Sequence, residues 1–152
     1  MNAKTIKYDR WHGQHLLDKL GVEVAYPFGY GLLYTTFALR DLRIDVPDLE
    51  KEEVQVSIGV KNTGDHDGRF IAQVYGLSDQ VEFPQIALLG FKPVDLSSGE
   101  HRTVTVSASL RPLQRWVDVA FVLSIDDVTF EVAAFAGDPG AVRSTIKLRN
   151  GS

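Results

Sequence analysis

The sequence predicts an all-β protein, an antiparallel β-sandwich preceded by a short helix. From Phe37 onward, apolar and polar residues alternate with a period of two, which is the pattern of strands with one buried and one wet face. Clusters of Gly, Asn, Asp and Pro interrupt this alternation at short and regular intervals, as turns between strands do. Ahead of Tyr26 the apolar residues follow helical spacing, so the helical part comes first.

The helix is predicted over residues 11–20, where Leu16, Leu17 and Leu20 lie near one helical face. Gly21 follows as its C-cap, because glycine readily adopts the left-handed conformation that ends many helices. A helix this short cannot bury its apolar stripe by itself. We therefore expect it to pack on the strands or on a body outside this chain.

Three segments show the clearest alternation and define the predicted core. Their core-facing residues are, in chain order, Phe37, Leu39, Leu42 and Ile44, then Val54, Val56, Ile58 and Val60, then Val104, Val106, Ala108 and Leu110. The polar residues that we expect to be wet include Gln55, Ser57, Thr103 and Thr105. A register error of one residue would exchange the two sets, so burial tests this assignment directly.

Turn-forming residues bound two further strands in the middle of the chain. The cluster at 62–68 predicts either a hairpin or a corner between two sheets. Strand character resumes at 70–75 and again at 88–94. In sequence order, these two strands therefore lie between the second and the third of the alternating segments.

The last third of the chain is predicted to hold a hairpin and a final strand. Residues 119–125 and 128–135 are expected to pair across a two-residue turn at Asp126 and Asp127. A further strand begins at Val142. The total is about seven strands, which is typical of an immunoglobulin or fibronectin type III-like β-sandwich.

A stretch rich in aromatics and glycine, residues 26–36, joins the helical part to the strands, and we call it the joint. Proline fixes one backbone angle, the glycines allow conformations closed to other residues, and the rings supply large apolar areas. This composition predicts a joint buried between two bodies, and the alternative is an aromatic-rich start of the first strand. The candidate joint residues are Tyr26, Pro27, Phe28, Gly29, Tyr30, Gly31 and Tyr34.

The joint resembles a known family signature. Residues 28–37 are similar to the PFGYGLSYTTF signature of family 3 glycoside hydrolases, with Leu33 in place of the usual Ser. Residues 60–68 resemble the VKNTGDRDG run of that family, 73–75 its QLYV run and 88–94 its ELKGFKKV strand. The sequence is thus similar to this β-glucosidase-like family over most of its length.

The resemblance implies a domain organisation and a function. In family 3 the signature lies where an α/β sandwich domain hands over to a C-terminal fibronectin type III-like domain. By this resemblance residues 1–25 are a remnant of the preceding domain, 26–36 are the joint, and 37–149 form the fibronectin type III-like sandwich. The implied function is that of a non-catalytic module of a β-glucosidase, which hydrolyses O-glycosyl bonds in carbohydrate metabolism. Such a module stabilises the catalytic domains and shapes the active-site rim or a dimer contact.

The chain itself is expected to lack the catalytic carboxyl pair of that family. Hydrolysis of a glycosidic bond uses two carboxyl groups, and in family 3 both precede the joint. No residue here matches either motif, so no catalytic residue is assigned and the chain alone is predicted to be inactive. The neighbouring acids Asp65 and Asp67, like Asp126 and Asp127, stand in turns, where carboxylates usually cap backbone amides.

Composition and spacing exclude several classes of ligand and partner. The net charge of −4 and the scattered Lys and Arg residues argue against binding to nucleic acid. His12 and His15 stand at helical spacing without a third ligand, so no metal or cofactor is predicted. No apolar run approaches the roughly 20 residues of a membrane span, and no signal peptide pattern opens the chain. We expect a soluble protein and assign no compartment.

Two other functions remain open alongside the accessory module. One is a free-standing carbohydrate-binding module, in which sugars stack on exposed rings, with Phe83 as a candidate sugar-rim contact because it lies in a polar loop. The other is a β-sandwich that serves protein contacts. Rings such as Trp11, Tyr75 and Trp116 more often belong to a core. The expected partners are therefore the catalytic domains of a parent enzyme, a second copy of the chain or a carbohydrate.

Overall fold

A computed structural model describes residues 13–77, 86–123 and 127–147 of the chain. The described residues form one α-helix, a short 3₁₀ turn at Arg111–Leu113 and nine β-strands. In chain order the helix and strands are α1 (Gln14–Leu20), β1 (Phe37–Ile44), β2 (Glu53–Asn62), β3 (Gly68–Leu77), β4 (Ile86–Leu96), β5 (His101–Ser109), β6 (Gln114–Val117), β7 (Ala120–Leu123), β8 (Asp127–Ala133) and β9 (Val142–Lys147).

The strands build an antiparallel sandwich of two sheets. One sheet has three strands in the order β1-β2-β5, and the other has four in the order β4-β3-β8-β9. β6 and β7 form a separate two-stranded hairpin. The predicted fold class, an antiparallel β-sandwich with a short N-terminal helix, is confirmed, and the hairpin is an addition to the strands of the two layers.

The core lies between the sheets and includes the residues that the alternation of β2 and β5 predicts, whereas the apolar residues of β1 are only partly buried against it. Ile58 stands opposite Val104, and Val56 opposite Val106, in the antiparallel register of β2 and β5. Thr105, on the other face of β5, is exposed as predicted. The buried apolar side chains that these two strands contribute are Val54, Val56, Ile58, Val60, Val104, Val106 and Ala108.

The outward face of β2 is drier than predicted. Gln55 and Ser57 are half-buried. Ser57 Oγ lies 2.8 Å from Thr105 Oγ1, and Gln55 Nε2 donates to Ser107 Oγ at 3.2 Å. β2 is the central strand of its sheet, so its outward side chains are flanked by those of both neighbours.

A bulge explains the uneven spacing of the apolar residues in β1. The half-buried residues change from odd to even positions within the strand. The register with β2 shifts between Arg40 and Arg43, and Asp41 adopts a φ of 56°. An extra residue at such a bulge keeps both ends of the strand facing the core.

The turn cluster between β2 and β3 is a corner between the two sheets, the second of its two predicted forms. β2 lies in the three-stranded sheet and β3 in the four-stranded sheet. The chain therefore crosses from one layer to the other at this turn. The turn also brings Asn62, at the end of β2, beside the start of β1, where it contacts the joint.

The predicted hairpin between residues 119–125 and 128–135 is wrong. β7 pairs with β6, and β8 lies between β3 and β9. The two-residue turn falls at Asp118 and Val119, where Asp118 adopts a φ of 52°. Asp126 lies outside the described residues. Turn residues mark where a chain can reverse, whereas the partner of a strand depends on segments far along the sequence.

The two sheets meet along β4 and β5. Gly90 passes β5 so closely that a Cβ there would lie 2.6 Å from the carbonyl oxygen of Ser107 and 3.2 Å from Ala108 Cα. Lys92 Nζ reaches across and donates to the carbonyl oxygen of Thr105 at 3.1 Å. Glycine is required at this position because any side chain would push the two strands apart.

α1 ends as predicted but lies loosely on the sandwich. Gly21 adopts a left-handed conformation with a φ of 64° and donates its amide to the carbonyl oxygen of Asp18. The helix buries none of its residues against the described part of the chain. Leu16 is 37% exposed and Leu20 is 64% exposed. The apolar stripe of the helix is therefore not covered by the strands.

Candidate functional site

The joint crosses the outer face of the four-stranded sheet, above Gln73 and Tyr75 of β3. Both polar residues are buried, although the core lies on the opposite side of β3, where Val74 points. Polar groups buried on an outer face need a cover that also satisfies their hydrogen bonds. The backbone of Phe28 and Gly29 supplies that cover.

The contacts between the joint and the sheet are made to the backbone of the joint. Gln73 Nε2 donates to the carbonyl oxygen of Gly29 at 3.3 Å and also to that of Ala134. The amide of Ala136 donates to the carbonyl oxygen of Phe28 at 2.9 Å. The hydroxyl of Tyr75 donates to Gln73 Oε1 at 2.6 Å. This bond orients the Gln73 amide so that its nitrogen faces the joint.

The two glycines of the joint differ in what they require. Gly29 adopts a φ of 80°, and a Cβ on it would overlap Gln73 Oε1. Gly31 does not have a positive φ, and a Cβ there would meet nothing within 4 Å. Only Gly29 is therefore needed for docking, because it alone combines left-handed backbone with close approach to another side chain.

Several side chains of the joint are exposed to solvent. Tyr26 is 75% exposed, Leu32 is 86% exposed and Tyr34 is 94% exposed. The ring of Tyr30 packs edge-on against Phe135 with centroids 5.2 Å apart, and Tyr26 leans on Tyr30 at 5.8 Å. The joint thus contacts the sheet mainly through its backbone, and its exposed apolar side chains lie on the opposite side.

A second anchor holds the C-terminal end of the joint at the corner between the sheets. Thr35 is buried, and its hydroxyl donates to Asn62 Oδ1 at 2.7 Å. Asn62 Nδ2 donates to the carbonyl oxygens of His66 and Leu96 at 2.8 and 3.1 Å. The two sequence signatures, 28–37 and 60–68, therefore meet in space at this fully buried asparagine.

The glycines of the corner leave room for Thr35. A Cβ on Gly64 would overlap Thr35 Oγ1, and a Cβ on Gly68 would overlap Thr35 Cγ2. The amide of Thr63 donates to the carbonyl oxygen of Thr36 at 2.8 Å, which continues the contact into β1. The glycines of the second signature are thus explained by the end of the first.

A buried carboxylate lies beside the phenol that supports the joint. Glu131 of β8 stands opposite Tyr75 of β3, and Arg143 Nε donates to Glu131 Oε2 at 2.6 Å. Burial, and then the negative charge of Glu131, raise the pKa of Tyr75 to about 12. Tyr75 is therefore a neutral hydrogen-bond donor at ordinary pH. Glu131 has no exposed surface, so a sugar substrate cannot reach its carboxylate.

A cleft of about 450 Å³ lies between α1, the joint and the four-stranded sheet. Its floor includes Tyr75 and Ile86, and Phe28 of the joint forms one wall. His15 and Asp18 of α1 form the polar side. The cleft exists because α1 stands off the sheet, which agrees with the exposed apolar stripe of the helix.

Known proteins share both the sequence and the fold of this chain. Residues 70–136 match the family described as fibronectin type III-like domain. A β-glucosidase of Kluyveromyces marxianus is 41% identical over 106 residues, which make up 68% of this chain and 12% of that protein. A crystal structure of β-glucosidase from the same organism in complex with glucose has a TM-score of 0.80 at 31% identity, and the match covers 93% of this chain and 17% of that one. The GH3 β-glucosidase of Bifidobacterium adolescentis has a TM-score of 0.78 at 27% identity, with 90% and 20% covered.

The chain contains a fibronectin type III-like domain of family 3 glycoside hydrolases. The family resemblance predicted from residues 28–37 and 60–68 is thereby confirmed. The matched region spans only 12% of the length of the Kluyveromyces relative and 17% to 20% of the chains in the two crystal structures. In these proteins the matched region is part of a much longer chain.

The candidate joint residues occupy two kinds of position in the fibronectin type III-like domain. Gly29 and the backbone of Phe28 contact the sheet, whereas the rings of Tyr26 and Tyr34 do not. Within the described residues the joint is not buried as predicted: Thr35 is buried and Pro27 half-buried, whereas the other residues of 26–36 are exposed.

Other candidate residues have mixed outcomes. Phe83, the candidate sugar-rim contact, lies outside the described residues, as do Trp11 and His12. Tyr75 is a buried ring, as expected of most aromatics, whereas Trp116 is 59% exposed. In the described part of the chain, no group of three His, Asp or Glu residues is placed to hold a metal ion.

Of the acids predicted to lie in turns, Asp67 caps a backbone amide, whereas Asp127 lies in β8 and not in a turn. Asp67 Oδ1 accepts a hydrogen bond from the amide of Ser98 at 3.0 Å. Asp65 is exposed in the same turn. No helix in the described residues is long and apolar enough to cross a membrane.

The structure also shows how four residues hold the joint, which the sequence did not predict. Gln73 and Tyr75 hold the joint, and Thr35 and Asn62 anchor its end. A signal for the first pair was present in the sequence, since β3 is polar at positions where a strand of alternating pattern would face water. They are buried because the joint lies over them.

Proposed function

We propose that this chain is the non-catalytic accessory module of a β-glucosidase-like glycoside hydrolase. In this proposal residues 1–25 belong to the preceding domain, 26–36 are the joint, and 37–149 are the module. The catalytic domains are the partner that covers the outer side of the joint. The module stabilises those domains and shapes the rim of their active site, while the nucleophilic Asp and the acid/base Glu of the reaction lie in the preceding domains.

The two-sided joint carries this proposal. Its backbone is fixed to the sheet by Gln73 and Ala136, so the direction in which the chain leaves the module is set. Its outer side presents Tyr26, Leu32 and Tyr34 to the surroundings. Exposed apolar side chains gathered on one side of a segment with a fixed backbone are typical of a surface that another domain covers.

The proposal is tested in the longer enzyme that would contain this module. Replacing both Leu32 and Tyr34 by Ser should lower the melting temperature of the catalytic domains and their activity on an aryl β-glucoside. Val46→Ser is the matched control, because Val46 is 93% exposed on the sandwich away from the joint. Equal effects of the joint variant and the control would refute the proposed interface.

The chain by itself should hydrolyse no aryl β-glucoside above the rate in buffer, because glycoside hydrolysis needs a pair of accessible carboxyl groups. Activity that co-purifies with the chain and falls when one of its acids is neutralised would contradict an accessory role.

Carbohydrate binding is a second candidate, favoured by the exposed rings of Tyr26 and Tyr34. Sugars stack on such rings. If this function holds, the chain should be retarded by a soluble β-glucan in affinity electrophoresis, and Tyr34→Ala should remove the retardation. We also propose a second copy of the chain as a partner of the joint.

A further inference from the structure

The N-terminal part of the chain is held to the sandwich by few contacts. α1 buries none of its residues against the described part of the chain. The joint is held mainly through the backbone of Phe28 and Gly29 and through the Tyr30 ring on Phe135. Each of these contacts joins residues 28–30 to a site on β3 and beyond β8, and each could be made equally well by the same segment of another molecule.

A hinge separates this segment from the rest of the chain. Gly31 to Tyr34 are exposed, and within the described residues they make no hydrogen bond. Immediately after them Thr35 is buried against Asn62 and stays with its own sandwich. A chain of four residues can extend over about 13 Å, because each residue spans at most about 3.3 to 3.6 Å. The hinge can therefore redirect the segment away from its own sheet.

We propose that residues 13–30 exchange between two copies of this chain, so that each joint docks on the Gln73 and Tyr75 site of the other copy. The exchange breaks and remakes the same contacts, so it costs little beyond association, which is why segment exchange is a low-cost route to dimers. It also brings the two hinges close together, where the exposed Leu32 and Tyr34 of one copy can cover those of the other. This inference concerns the chain itself and does not depend on the proposed enzyme.

Cysteine cross-linking tests the exchange directly, because the chain has no cysteine of its own. The amide of Ala136 is bonded to the carbonyl oxygen of Phe28 at 2.9 Å, and both residues line the same cleft. A disulfide between cysteines at these two positions is therefore within reach. Full-length chains carrying only Phe28→Cys are mixed with chains carrying only Ala136→Cys, refolded together at high concentration and oxidised.

The expected result is a disulfide-linked dimer that contains one chain of each variant. Its yield relative to the two same-variant dimers should be well above the yield that random collision gives. A chain carrying both cysteines should likewise shift from monomer to dimer mass on a non-reducing gel as its concentration during refolding rises. Mixed dimers at only the random share, with the double variant cross-linked within single chains at every concentration, would overturn the proposal.

Two glycine variants control for surface cross-linking that does not involve docking. Gly29→Ala places a side chain against Gln73 and should reduce the mixed dimer to the random share. Gly31→Ala lies two residues away, meets nothing within 4 Å and should leave the mixed dimer unchanged. Equal yields with both variants would show that the cysteines meet without the joint being seated, and the exchange would be refuted.

Discussion

The sandwich and the segment that precedes it treat their apolar residues in opposite ways. Between the sheets, Ile58 and Phe130 have no exposed surface. In residues 13–34, Leu20 is 64% exposed and Tyr34 is 94% exposed. The same kind of side chain is thus fully covered in one region and bare in the other, although both belong to one chain.

The difference shows which part of the chain can bury its own apolar surface without a partner. Removing apolar surface from water is the dominant favourable term in folding, and the two sheets achieve it with each other. The N-terminal segment contributes little of this term within the chain, so its conformation depends on hydrogen bonds at a few points. We expect the sandwich to determine global stability, and the segment to open locally at a much lower cost.

The largest expected effect is the loss of a core side chain. Ile58→Ala should lower the free energy of unfolding by about 2 to 5 kcal/mol, because it leaves a cavity between the sheets. Leu20→Ala should change it by less than about 0.5 kcal/mol, because that side chain is mostly in water. Denaturant melts of both variants measure the contrast, and similar losses would show that the helix belongs to the cooperative unit.

Asn62 gives the next largest effect, because it joins both regions. Asn62→Ala leaves the Thr35 hydroxyl and the Leu96 carbonyl oxygen without their buried partner, which should cost about 1 to 3 kcal/mol. Thr63→Ala, next in sequence, removes only an exposed hydroxyl contact with Thr36 and should cost far less. Thermal unfolding of the two variants measures this difference. Equal losses of stability would show that the turn, and not the buried hydrogen-bond network, stabilises the chain here.

Gln73 should affect the joint while leaving the core intact. Gln73→Leu removes the donor to the Gly29 carbonyl oxygen, a bond that should contribute about 1 kcal/mol to docking. We expect the amides of Tyr30 and Ala136 to exchange hydrogen several times faster, since about 1.4 kcal/mol corresponds to a factor of ten. Gln55→Leu, on the other sheet, is the control, and unchanged exchange in both variants would argue against the assigned role of Gln73.

The smallest effect is confined to high pH. The pKa of Tyr75 is raised to about 12 by burial and by Glu131, so the folded state keeps a proton that the unfolded state loses near pH 10. The contribution of Tyr75 to stability is therefore complete below pH 10 and falls as the pH rises towards about 12. Absorbance titration of phenolate should show one late step that Tyr75→Phe removes. A Tyr75→Phe chain with the same titration curve would contradict this assignment.

The sequence predicted those parts of the fold that depend on local pattern. Alternation over β2 and β5 identified the core residues Val56, Ile58, Val104 and Val106 with the correct register, because a half-buried strand records its faces in its own sequence. The sequence also marked Gly29, whose left-handed backbone and close approach to Gln73 only glycine allows.

Features that depend on distant pairing could not be predicted in the same way. The polar pair Asp126 and Asp127 is a sound turn signal, yet β7 pairs with β6 because the preceding residues supply a nearer partner across Asp118. Likewise Gln73 is polar in its strand and is buried because the joint, more than 40 residues away in sequence, lies over it. Sequence pattern shows which faces are apolar and does not show what covers the polar ones.

The close passage of β4 over β5 at Gly90 protects the chain from aggregation through its edge strands. An edge strand offers unpaired backbone groups to any other strand, and such edges start aggregation unless they are blocked. β5 is an edge of the three-stranded sheet and β4 is an edge of the four-stranded sheet. Because Gly90 lets each edge shield the other, a foreign strand approaching along this side meets backbone that is already covered. Gly90→Val would separate the two strands, and the first sign should be turbidity on concentration rather than a loss of secondary structure.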